Sequence, residues 1–289
     1  MGNKHYSENY TANYIKGNVY IITGAGSGFG RETALEIVKM GGKVVLMSKT
    51  AKTLDETVHQ IEALGYKDSV AAMAGNVSNY EDNVKLVKLA VEKFGKVDAF
   101  FANAGTMPSA AFEDHDIALG PWETCIDSNF KGVVYAICAV YDQFKAQGYG
   151  HMLATSSILG NFPSAGNGVY GATKIAVRYL LDALRAEEAG MIKTTYICPP
   201  GVNTNLASTI VKSSAKTGGI WGYNKPKLGQ YMQEMASGEH PEYLDNNDIR
   251  YFQVSPEELV WSIMYALNQP RGIDISAITI HSSNDPAIL

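Results

Sequence analysis

The sequence predicts an α/β fold in which a parallel sheet is covered by helices on both of its faces. Two observations lead to this prediction: short apolar, β-branched runs alternate with segments of helical periodicity, and no repeat or low-complexity linker interrupts them. The 289 residues are 46% hydrophobic and 18% charged, which suffices to bury one large core. We therefore expect one domain over residues 1–289.

The apolar runs predict a sheet of about seven strands. They lie at 19–23, 44–47, 70–74, 97–102, 151–155, 194–198 and 275–281. Apolar residues recur at three- and four-residue spacing between them, which predicts helices at 31–40, 53–64, 81–94, 122–144, 170–188 and 256–267. In such a sheet ligands bind at the carboxyl ends of the strands, so functional residues are expected in the loops that follow each strand.

Two segments depart from this alternation. Residues 1–16 form a polar N-terminal extension rich in Tyr and Asn. Residues 205–254 are long, polar and dotted with glycine. A long irregular insertion in a compact domain is usually functional. We interpret it as a lid over a substrate, with a plain surface excursion or an oligomer contact as the alternative.

Composition and charge exclude several classes of protein. A net charge of −5 offers no basic field for nucleic acid. No apolar run approaches the roughly 20 residues that span a membrane. The 3 cysteines form no close pairs and the 6 histidines no ligand spacing, so neither a disulfide framework nor a metal site is expected. The N-terminus lacks the apolar centre of a signal peptide, which favours the cytoplasm.

The first predicted strand runs directly into the sequence TGAGSGFG at 23–30, and a helix follows. Glycines allow the backbone to turn tightly and to approach a pyrophosphate. The start of the helix adds unpaired N–H groups and the positive end of its dipole. The spacing is TGxxxGxG, since Phe29 stands where the GxGxxG pattern has glycine. A flexible loop would also explain the glycines, but the strand and helix on either side favour a nucleotide site.

A second pattern is a tyrosine followed four residues later by a lysine, at Tyr170 and Lys174. On a helix the two side chains share one face. A nearby cation lowers the pKa of a tyrosine from its ordinary value of about 10, so that it can act as an acid or a base. The same spacing also begins at Tyr141 and at Tyr223. The pair alone is therefore weak evidence.

Ser157 separates these candidates. It lies thirteen residues before Tyr170 and directly follows a predicted strand, where ligands bind. Ser128 has the same offset from Tyr141, but both fall in one apolar helical stretch, so Tyr141 is most simply a core or interface residue. An isoleucine has that offset from Tyr223. Only Tyr170 combines the helix, the cation and a serine at a strand end.

At this point the chain resembles the short-chain dehydrogenase/reductase family, in its single-domain Rossmann branch. The matching motifs follow the family's order over nearly the whole chain. They are TGAGSGFG at 23–30, ANAG at 102–105, Asn129, the Ser156-Ser157 pair, YGATK at 170–174 and PGVNT at 200–204. The resemblance implies a doubly wound Rossmann fold and hydride transfer between a nicotinamide cofactor and a carbonyl or alcohol.

The resemblance also implies a catalytic set of Asn129, Ser157, Tyr170 and Lys174. Tyr170 would be the general acid in carbonyl reduction and the base in alcohol oxidation, and Ser157 would hydrogen-bond the substrate oxygen. Lys174 would lower the pKa of Tyr170 and bond the nicotinamide ribose. Asn129, in mid-helix, would support Lys174 through an ordered water. A helix cap or distortion is the alternative for Asn129.

The cofactor residues that the resemblance implies follow the strand ends. The glycine loop would line the phosphates, the ANAG turn the adenosine and the PGVNT segment the carboxamide. They are Gly24, Ser27, Gly28, Phe29, Gly30, Ser48, Lys49, Asn76, Val77, Asn103, Ala104, Gly105, Pro200, Gly201, Val202 and Thr204, together with Tyr170 and Lys174. Asn76 stands where the family usually has an aspartate against the adenine, and its amide oxygen can still accept a hydrogen bond.

The end of the second strand bears on which nicotinamide is bound. NAD-selective sites usually carry a carboxylate there. This chain has Ser48 and Lys49 instead, and the next acid is Asp55. Because a hydroxyl and an ammonium can bind a 2′-phosphate that a carboxylate would repel, NADP(H) is favoured. NAD(H) is the alternative, since Lys49 also fits a solvated loop charge and the glycine loop lacks the extra basic residue of many NADP-preferring relatives.

Candidate substrate-lining residues are mostly apolar. They are Met107, Leu159, Phe162, Leu206, Trp221 and Tyr223. No Arg or Lys among them could clamp a carboxylate or phosphate. The expected substrate is therefore a hydrophobic ketone or secondary alcohol, with cyclic, terpenoid and steroid-like compounds as candidates. The alternative is that some of these side chains belong to the core.

The leading function is an NADP(H)-dependent carbonyl reductase or alcohol dehydrogenase. Two alternatives stay open, a noncatalytic nucleotide-binding regulator on the same fold and an epimerase or dehydratase that retains its cofactor. The full catalytic set argues against the regulator, which does not need it. The helices at 122–144 and 170–188 carry broad apolar stripes, and relatives commonly associate through them, so a homotetramer or a homodimer is expected.

Overall fold

The computed structural model describes residues 12–201, 206, 211, 233–234, 237–252 and 254–285. In this part of the chain seven strands form one sheet in the order β3-β2-β1-β4-β5-β6-β7, and every neighbouring pair is parallel. The strands are β1 (Val19–Thr23), β2 (Lys43–Ser48), β3 (Val70–Ala74), β4 (Ala99–Ala102), β5 (Gly150–Thr155), β6 (Ile192–Cys198) and β7 (Ala277–Thr279). The predicted Rossmann-type α/β fold is confirmed.

Helices alternate with these strands as the sequence predicts. They are α1 (Gly28–Lys39), α2 (Ala51–Ala63), α3 (Tyr80–Phe94), α4 (His115–Ile126), α5 (Gly132–Gln147), α6 (Gly168–Glu187) and α7 (Pro256–Leu267). Buried residues of α1, α2 and α7 form one apolar cluster on one face of the sheet, and those of α3, α5 and α6 form a second cluster on the other face. The sheet is therefore doubly wound.

β1 shows why the strands are almost continuously apolar. Tyr20 and Ile22 belong to the first cluster, whereas Val19 and Ile21 belong to the second. Successive side chains of a strand point to opposite faces of a sheet. Because helices cover both faces, every position of β1 must be apolar or otherwise satisfied.

The strand order places a crevice at the carboxyl ends of β1 and β4. The chain leaves β1 toward β2 and β3 on one side, and then returns to add β4 on the other side. β1 and β4 are neighbours, and the connections that leave them run to opposite sides of the sheet. Ligands bind in the crevice between two such connections. The glycine loop follows β1 and the ANAG turn follows β4, so both border this crevice.

β4 begins two residues later than predicted because the side-chain carboxylate of Asp98, in place of a backbone carbonyl, accepts the hydrogen bond from β1. The Asp98 N–H donates to the carbonyl of Val19 at 2.8 Å, and its carboxylate accepts the Val19 N–H at 2.8 Å. A Lys96 ammonium pairs with the same carboxylate at 2.8 Å. β7, the edge strand beside β6, is shorter than the predicted 275–281.

The helix predicted at 122–144 is longer and is interrupted. Helical structure starts at His115, passes Pro121 inside α4, widens into a π turn at Asp127–Lys131 and continues as α5. The Gly120-Pro121 pair resembles a local stop. Buried contacts of Ala118 and Trp122 hold the helix through it, since tertiary packing routinely outweighs local propensity.

The first described residues pack onto the domain. Ile15 is fully buried in the first cluster. The Tyr14 N–H donates to the side chain of Asn268 at 2.7 Å, next to the end of α7. In the stretches of chain that the structure covers, no helix has the length and apolar character needed to cross a membrane.

Candidate active site

The loop after β1 has almost no room for side chains. Gly24 has a φ of +66°, and a Cβ built there would lie 2.9 Å from Cα of Ala104. A Cβ on Gly30 would lie 2.5 Å from the carbonyl oxygen of Gly24. α1 begins at Gly28, and the side chain of Ser27 makes no capping hydrogen bond. The first N–H groups of α1 and its positive dipole end are therefore well placed for the phosphates of a dinucleotide.

Asn103 ties together the carboxyl ends of three strands. The Thr23 hydroxyl accepts the N–H groups of Asn103 and Ala104 at 3.1 and 3.2 Å. The Asn103 amide donates to the Thr23 carbonyl at 3.1 Å and accepts from the Thr155 hydroxyl at 3.0 Å. Both ends of this side chain are thus engaged within the protein, which fixes the floor of the crevice.

Ser157 and Tyr170 lie together beyond the end of β5. Only 6% of Ser157 and 5% of Tyr170 is exposed, and the serine hydroxyl hydrogen-bonds the phenol. Ser157 Oγ also accepts the Leu159 N–H at 3.1 Å and so caps the short 3₁₀ turn Ile158–Gly160. Burial raises the pKa of Tyr170 to about 12, against a lowering effect of the Ser157 hydrogen bond. Tyr170 is therefore a neutral phenol, the form that donates a proton.

Lys174 lies one turn further along α6. Its Nζ donates to the carbonyl of Thr155 at 2.7 Å and lies 5.6 Å from the ring centroid of Tyr170. Burial lowers the pKa of Lys174 to about 8. The sequence predicts a Tyr170 pKa below the ordinary value, whereas the structure shows the opposite direction. Loss of water around the buried phenol disfavours its charged form more strongly than the Ser157 hydrogen bond favours it.

Asn129 lies in the π turn, and only 1% of it is exposed. Its Oδ1 accepts the Thr106 N–H at 2.9 Å, and its Nδ2 donates to the Thr106 carbonyl at 2.9 Å. Nδ2 also lies 3.2 Å from Cys125 Sγ and 3.2 Å from Thr173 Oγ1. The helix distortion offered above as the alternative for Asn129 is therefore present.

Gly105 shows how close Asn129 and Lys174 are to each other. A Cβ on Gly105 would lie 2.9 Å from Asn129 Oδ1 and 3.6 Å from Lys174 Nζ. The amide and the ammonium therefore flank the same glycine at the end of β4. The structure thus brings all four predicted catalytic residues into one buried region at the carboxyl edge of the sheet.

The end of β2 packs directly against the glycine loop. A Cβ on Gly26 would lie 2.9 Å from Ser48 Oγ and 2.5 Å from Thr53 Oγ1. Lys49 is exposed beside them. Thr53 is a candidate for the ribose end of a cofactor that the sequence did not single out. Its only signal was a hydroxyl in the first turn of the helix after β2.

In the loop after β3, Asn76 bonds within the loop, whereas Val77 packs against a helix. The Asn76 side chain accepts the Ser78 N–H at 3.0 Å, and the Asn76 backbone N–H donates to the Asp82 carboxylate at 3.0 Å. One acceptor site of the amide oxygen is thus used inside the loop. Val77 packs against the start of α5, where a Cβ on Gly132 would lie 3.0 Å from it.

The predicted cofactor and substrate residues beyond β5 are only partly covered by the structure. Met107, Leu159 and Leu206 are half-buried, whereas Phe162 is exposed. Pro200 and Gly201 lie two and three residues after the end of β6. Four residues named above lie outside the described residues: Val202, Thr204, Trp221 and Tyr223.

Tyr141, the second tyrosine with the lysine spacing, has a different environment. Its phenol donates to the carboxylate of Glu188, at the end of α6. Lys145 Nζ lies 3.6 Å from the same carboxylate and 5.7 Å from the centroid of the Tyr141 ring. The ring packs against the second cluster. Tyr141 is therefore a packing residue with a polar tip, as the sequence predicts.

Comparison with known proteins agrees with this geometry. The sequence model of the short chain dehydrogenase family matches residues 18–215. An uncharacterized oxidoreductase of Listeria monocytogenes is 37% identical over 279 residues, which cover 94% of this chain and 99% of that protein.

Two solved structures share the fold. An alcohol dehydrogenase from Thermococcus sibiricus, complexed with 5-hydroxy-NADP, has a TM-score of 0.72 at 22% identity, covering 92% of this chain and 97% of that one. A short chain dehydrogenase/reductase from Burkholderia phymatum, in complex with NAD, has a TM-score of 0.70 at 25% identity, covering 92% and 89%. The family match over most of the chain and the near-complete alignment with the Listeria protein show that this chain belongs to the short-chain dehydrogenase family of oxidoreductases.

Proposed function

We propose that this protein transfers hydride between NADP(H) and a hydrophobic ketone or secondary alcohol, as a carbonyl reductase or alcohol dehydrogenase. The observation that carries the proposal is the burial of Asn129, Ser157, Tyr170 and Lys174 in one region at the carboxyl edge of the sheet. Burying an ammonium and a phenol costs free energy. A protein that only bound a nucleotide would gain nothing from this arrangement.

The side chains of this protein account for the movement of the proton. The Ser157 hydroxyl can hydrogen-bond the substrate oxygen, and the neutral phenol of Tyr170 can donate its proton to that oxygen when a carbonyl is reduced. Lys174, whose pKa is lowered to about 8, can replace the proton near neutral pH and bond the nicotinamide ribose. Asn129, which flanks Gly105 together with Lys174, would support Lys174 through an ordered water. When bound, the nicotinamide supplies or accepts the hydride.

Packing around the glycine loop supports the choice of NADP(H). Ser48, Thr53 and the exposed Lys49 would hold the 2′-phosphate. Asp55 is exposed on α2, and Glu56 is paired with Arg31 at 3.4 Å. Neither acid takes the place of the ribose-binding carboxylate of NAD-selective sites. NAD(H) remains the alternative.

The segment 205–254 is proposed as a lid over an apolar substrate. Support comes from Val211, which is buried in a small apolar cluster with Ala110, Ala118 and Trp122. Its N–H lies 3.4 Å from the carbonyl of Ser109, in the connection that follows the ANAG turn. At this point the segment contacts the wall of the crevice.

A homotetramer is proposed because two separate apolar surfaces are exposed. Tyr179 on α6 is 79% exposed, with Ile175 one turn away on the same helix. Trp261 on α7 is 65% exposed, beside the edge strand β7. A tetramer of D2 symmetry needs two different interfaces, whereas a dimer needs one, and a homodimer is the alternative. A monomer in light scattering at micromolar concentration would contradict this proposal.

All 3 cysteines are free, which suits the proposed cytoplasmic location.

Titration with NADPH and NADH, followed by turnover on apolar ketones, tests the function. Tyr170→Phe removes the proton donor and keeps the ring, so we expect turnover to fall by about 10²–10⁴-fold with little change in cofactor affinity. Tyr141→Phe is the matched control, since its phenol contacts Glu188 instead, and it should keep most of the activity. Near-normal turnover of Tyr170→Phe would contradict the assignment. Binding without turnover would favour a regulator, and turnover without net cofactor consumption an epimerase or dehydratase.

A further inference from the structure

Arg31, just after the glycine loop, connects that loop to α2. Its Nη2 donates to the carbonyl of Gly26 and lies 3.3 Å from the carbonyl of Thr53. Its Nε donates to the Thr57 hydroxyl at 3.0 Å. The Arg31 side chain is only 19% exposed. The same Nη2 lies 3.4 Å from the exposed carboxylate of Glu56. The guanidinium is thus directed at backbone, hydroxyl and carboxylate groups of the protein itself.

Thr57 completes this connection from the other side. It is fully buried, and its hydroxyl donates to the carbonyl of Ala25 at 2.9 Å. The same oxygen accepts from Arg31, so the two residues act as one unit. Together they hold the carbonyls of Ala25 and Gly26, two consecutive residues of the loop.

Holding these two carbonyls also orients the loop's N–H groups. A trans peptide is planar, and its C=O and N–H point in opposite directions. With the Ala25 carbonyl directed at Thr57, the N–H of Gly26 points away from α2. With the Gly26 carbonyl directed at Arg31, the N–H of Ser27 points away from the guanidinium. If either peptide turned over, a carbonyl oxygen would face the phosphates and repel them.

We propose that Arg31 and Thr57 are positioning residues for the dinucleotide, which fix the glycine loop with its N–H groups toward the pyrophosphate. This inference rests on the proposed function, because it requires a nicotinamide dinucleotide as the ligand. The pyrophosphate is common to NADPH and NADH, so loss of this support weakens both to the same extent. A direct role of the Arg31 charge in binding the 2′-phosphate would weaken NADPH alone.

Fluorescence titration of the full-length protein with NADPH and NADH separates the two roles. Arg31→Met loses a charge-assisted hydrogen bond to the loop, so we expect the Kd of both dinucleotides to rise about 10-fold by the same factor. Thr57→Val removes the hydroxyl at nearly constant volume and should raise both about 5-fold. Thr57→Ser restores the hydroxyl and should bind within about 2-fold of the wild type.

Two control variants make the test specific. Thr33 is a second buried threonine, on α1, and its hydroxyl has no hydrogen-bond partner among the residues described by the structure. Thr33→Val should therefore leave both Kd values unchanged. Lys49→Met should weaken NADPH alone, because Lys49 is proposed to contact the 2′-phosphate. Circular dichroism of each variant checks that it is folded before its Kd is measured.

The outcomes separate this inference from the proposed function. The inference is overturned if Arg31→Met weakens only NADPH, if neither Arg31→Met nor Thr57→Val changes a Kd, or if Thr57→Ser binds as poorly as Thr57→Val. A Lys49→Met variant that binds NADPH like the wild type contradicts the proposed NADP preference alone. A wild-type protein that binds neither dinucleotide refutes both.

Discussion

Replacing Asn129 by alanine tests how the site is held together. The side chain bridges the π turn to the segment after β4, because it bonds both the N–H and the carbonyl of Thr106 at 2.9 Å. Alanine removes both bonds and adds no polar group in their place. The Thr106 N–H is then left without its partner, and the Thr106 carbonyl keeps only the Cys125 thiol at 3.6 Å.

The expected loss of stability follows from those two backbone groups. A buried polar group left without a partner costs about 1–3 kcal/mol, which applies to the Thr106 N–H. The Thr106 carbonyl keeps the Cys125 thiol at 3.6 Å, so its loss of one hydrogen bond costs about 0.5–1.5 kcal/mol. Thr106 is only partly buried, and water can reach part of its surroundings. We therefore expect the free energy of unfolding to fall by about 2–4 kcal/mol.

Urea unfolding followed by far-UV circular dichroism measures this difference. Thr173→Val is the matched control, because it removes one side-chain partner of Asn129 and leaves the two bonds to Thr106 in place. It should cost less than about 1 kcal/mol. If Asn129→Ala cost no more than Thr173→Val, the pairing with Thr106 would not be what fixes the π turn.

Two further predictions concern the glycine loop and the interior of the sheet. Gly30→Ala brings a Cβ to 2.5 Å from the Gly24 carbonyl oxygen and 2.8 Å from Asn103 Nδ2. The affinity for either dinucleotide should therefore fall more than about 10-fold in the fluorescence titration. An unchanged affinity would show that the glycine loop moves to accept the methyl group. His151 is buried against the Thr195 hydroxyl at 2.8 Å, and burial, with Lys193 nearby, lowers the pKa of His151 well below 6.5. Below pH 6.5 the unfolded chain therefore binds more protons, so the free energy of unfolding should decrease as the pH falls, by at most about 1.4 kcal/mol per unit from this group. His151→Gln should flatten that slope in urea unfolding between about pH 5 and pH 7, and equal slopes would contradict this reasoning.

Several element boundaries could be predicted because local signals and burial agree there. β1 and β3 have the predicted bounds, since each is a short apolar run between turn residues. α7 also begins and ends as predicted. Ser255 caps it with a full capping box to Glu258, and Pro256 occupies its first turn. α4 could not be placed, because only tertiary contacts of Ala118 and Trp122 carry the helix past Pro121.

The candidate site could likewise be predicted only in part from the sequence. Motif order identified Ser157, Tyr170 and Lys174, and the structure brings them together. Contacts between distant segments gave no sequence signal, so the approach of Thr53 and Thr57 to the glycine loop could not be foreseen. The direction of the Tyr170 pKa shift was also inaccessible, because it depends on how many surrounding atoms exclude water from the phenol.

The π turn keeps the buried residues of α4 and α5 on the same side of one continuous helix. Seven turns of an ideal α-helix take about 25 residues, whereas Ala118 and Phe144 lie 26 residues apart. The wide turn, closed by the Gly132 N–H on the Asp127 carbonyl five residues earlier, absorbs the surplus residue. The following residues are buried along that side: Ala118, Trp122, Cys125, Asn129, Val133, Ala136, Val140 and Phe144. Deleting one residue from Asp127–Lys131 would turn α5 relative to α4 by about 100°. If Val140 and Phe144 then stayed packed on the sheet, Asn129 would no longer face Thr106.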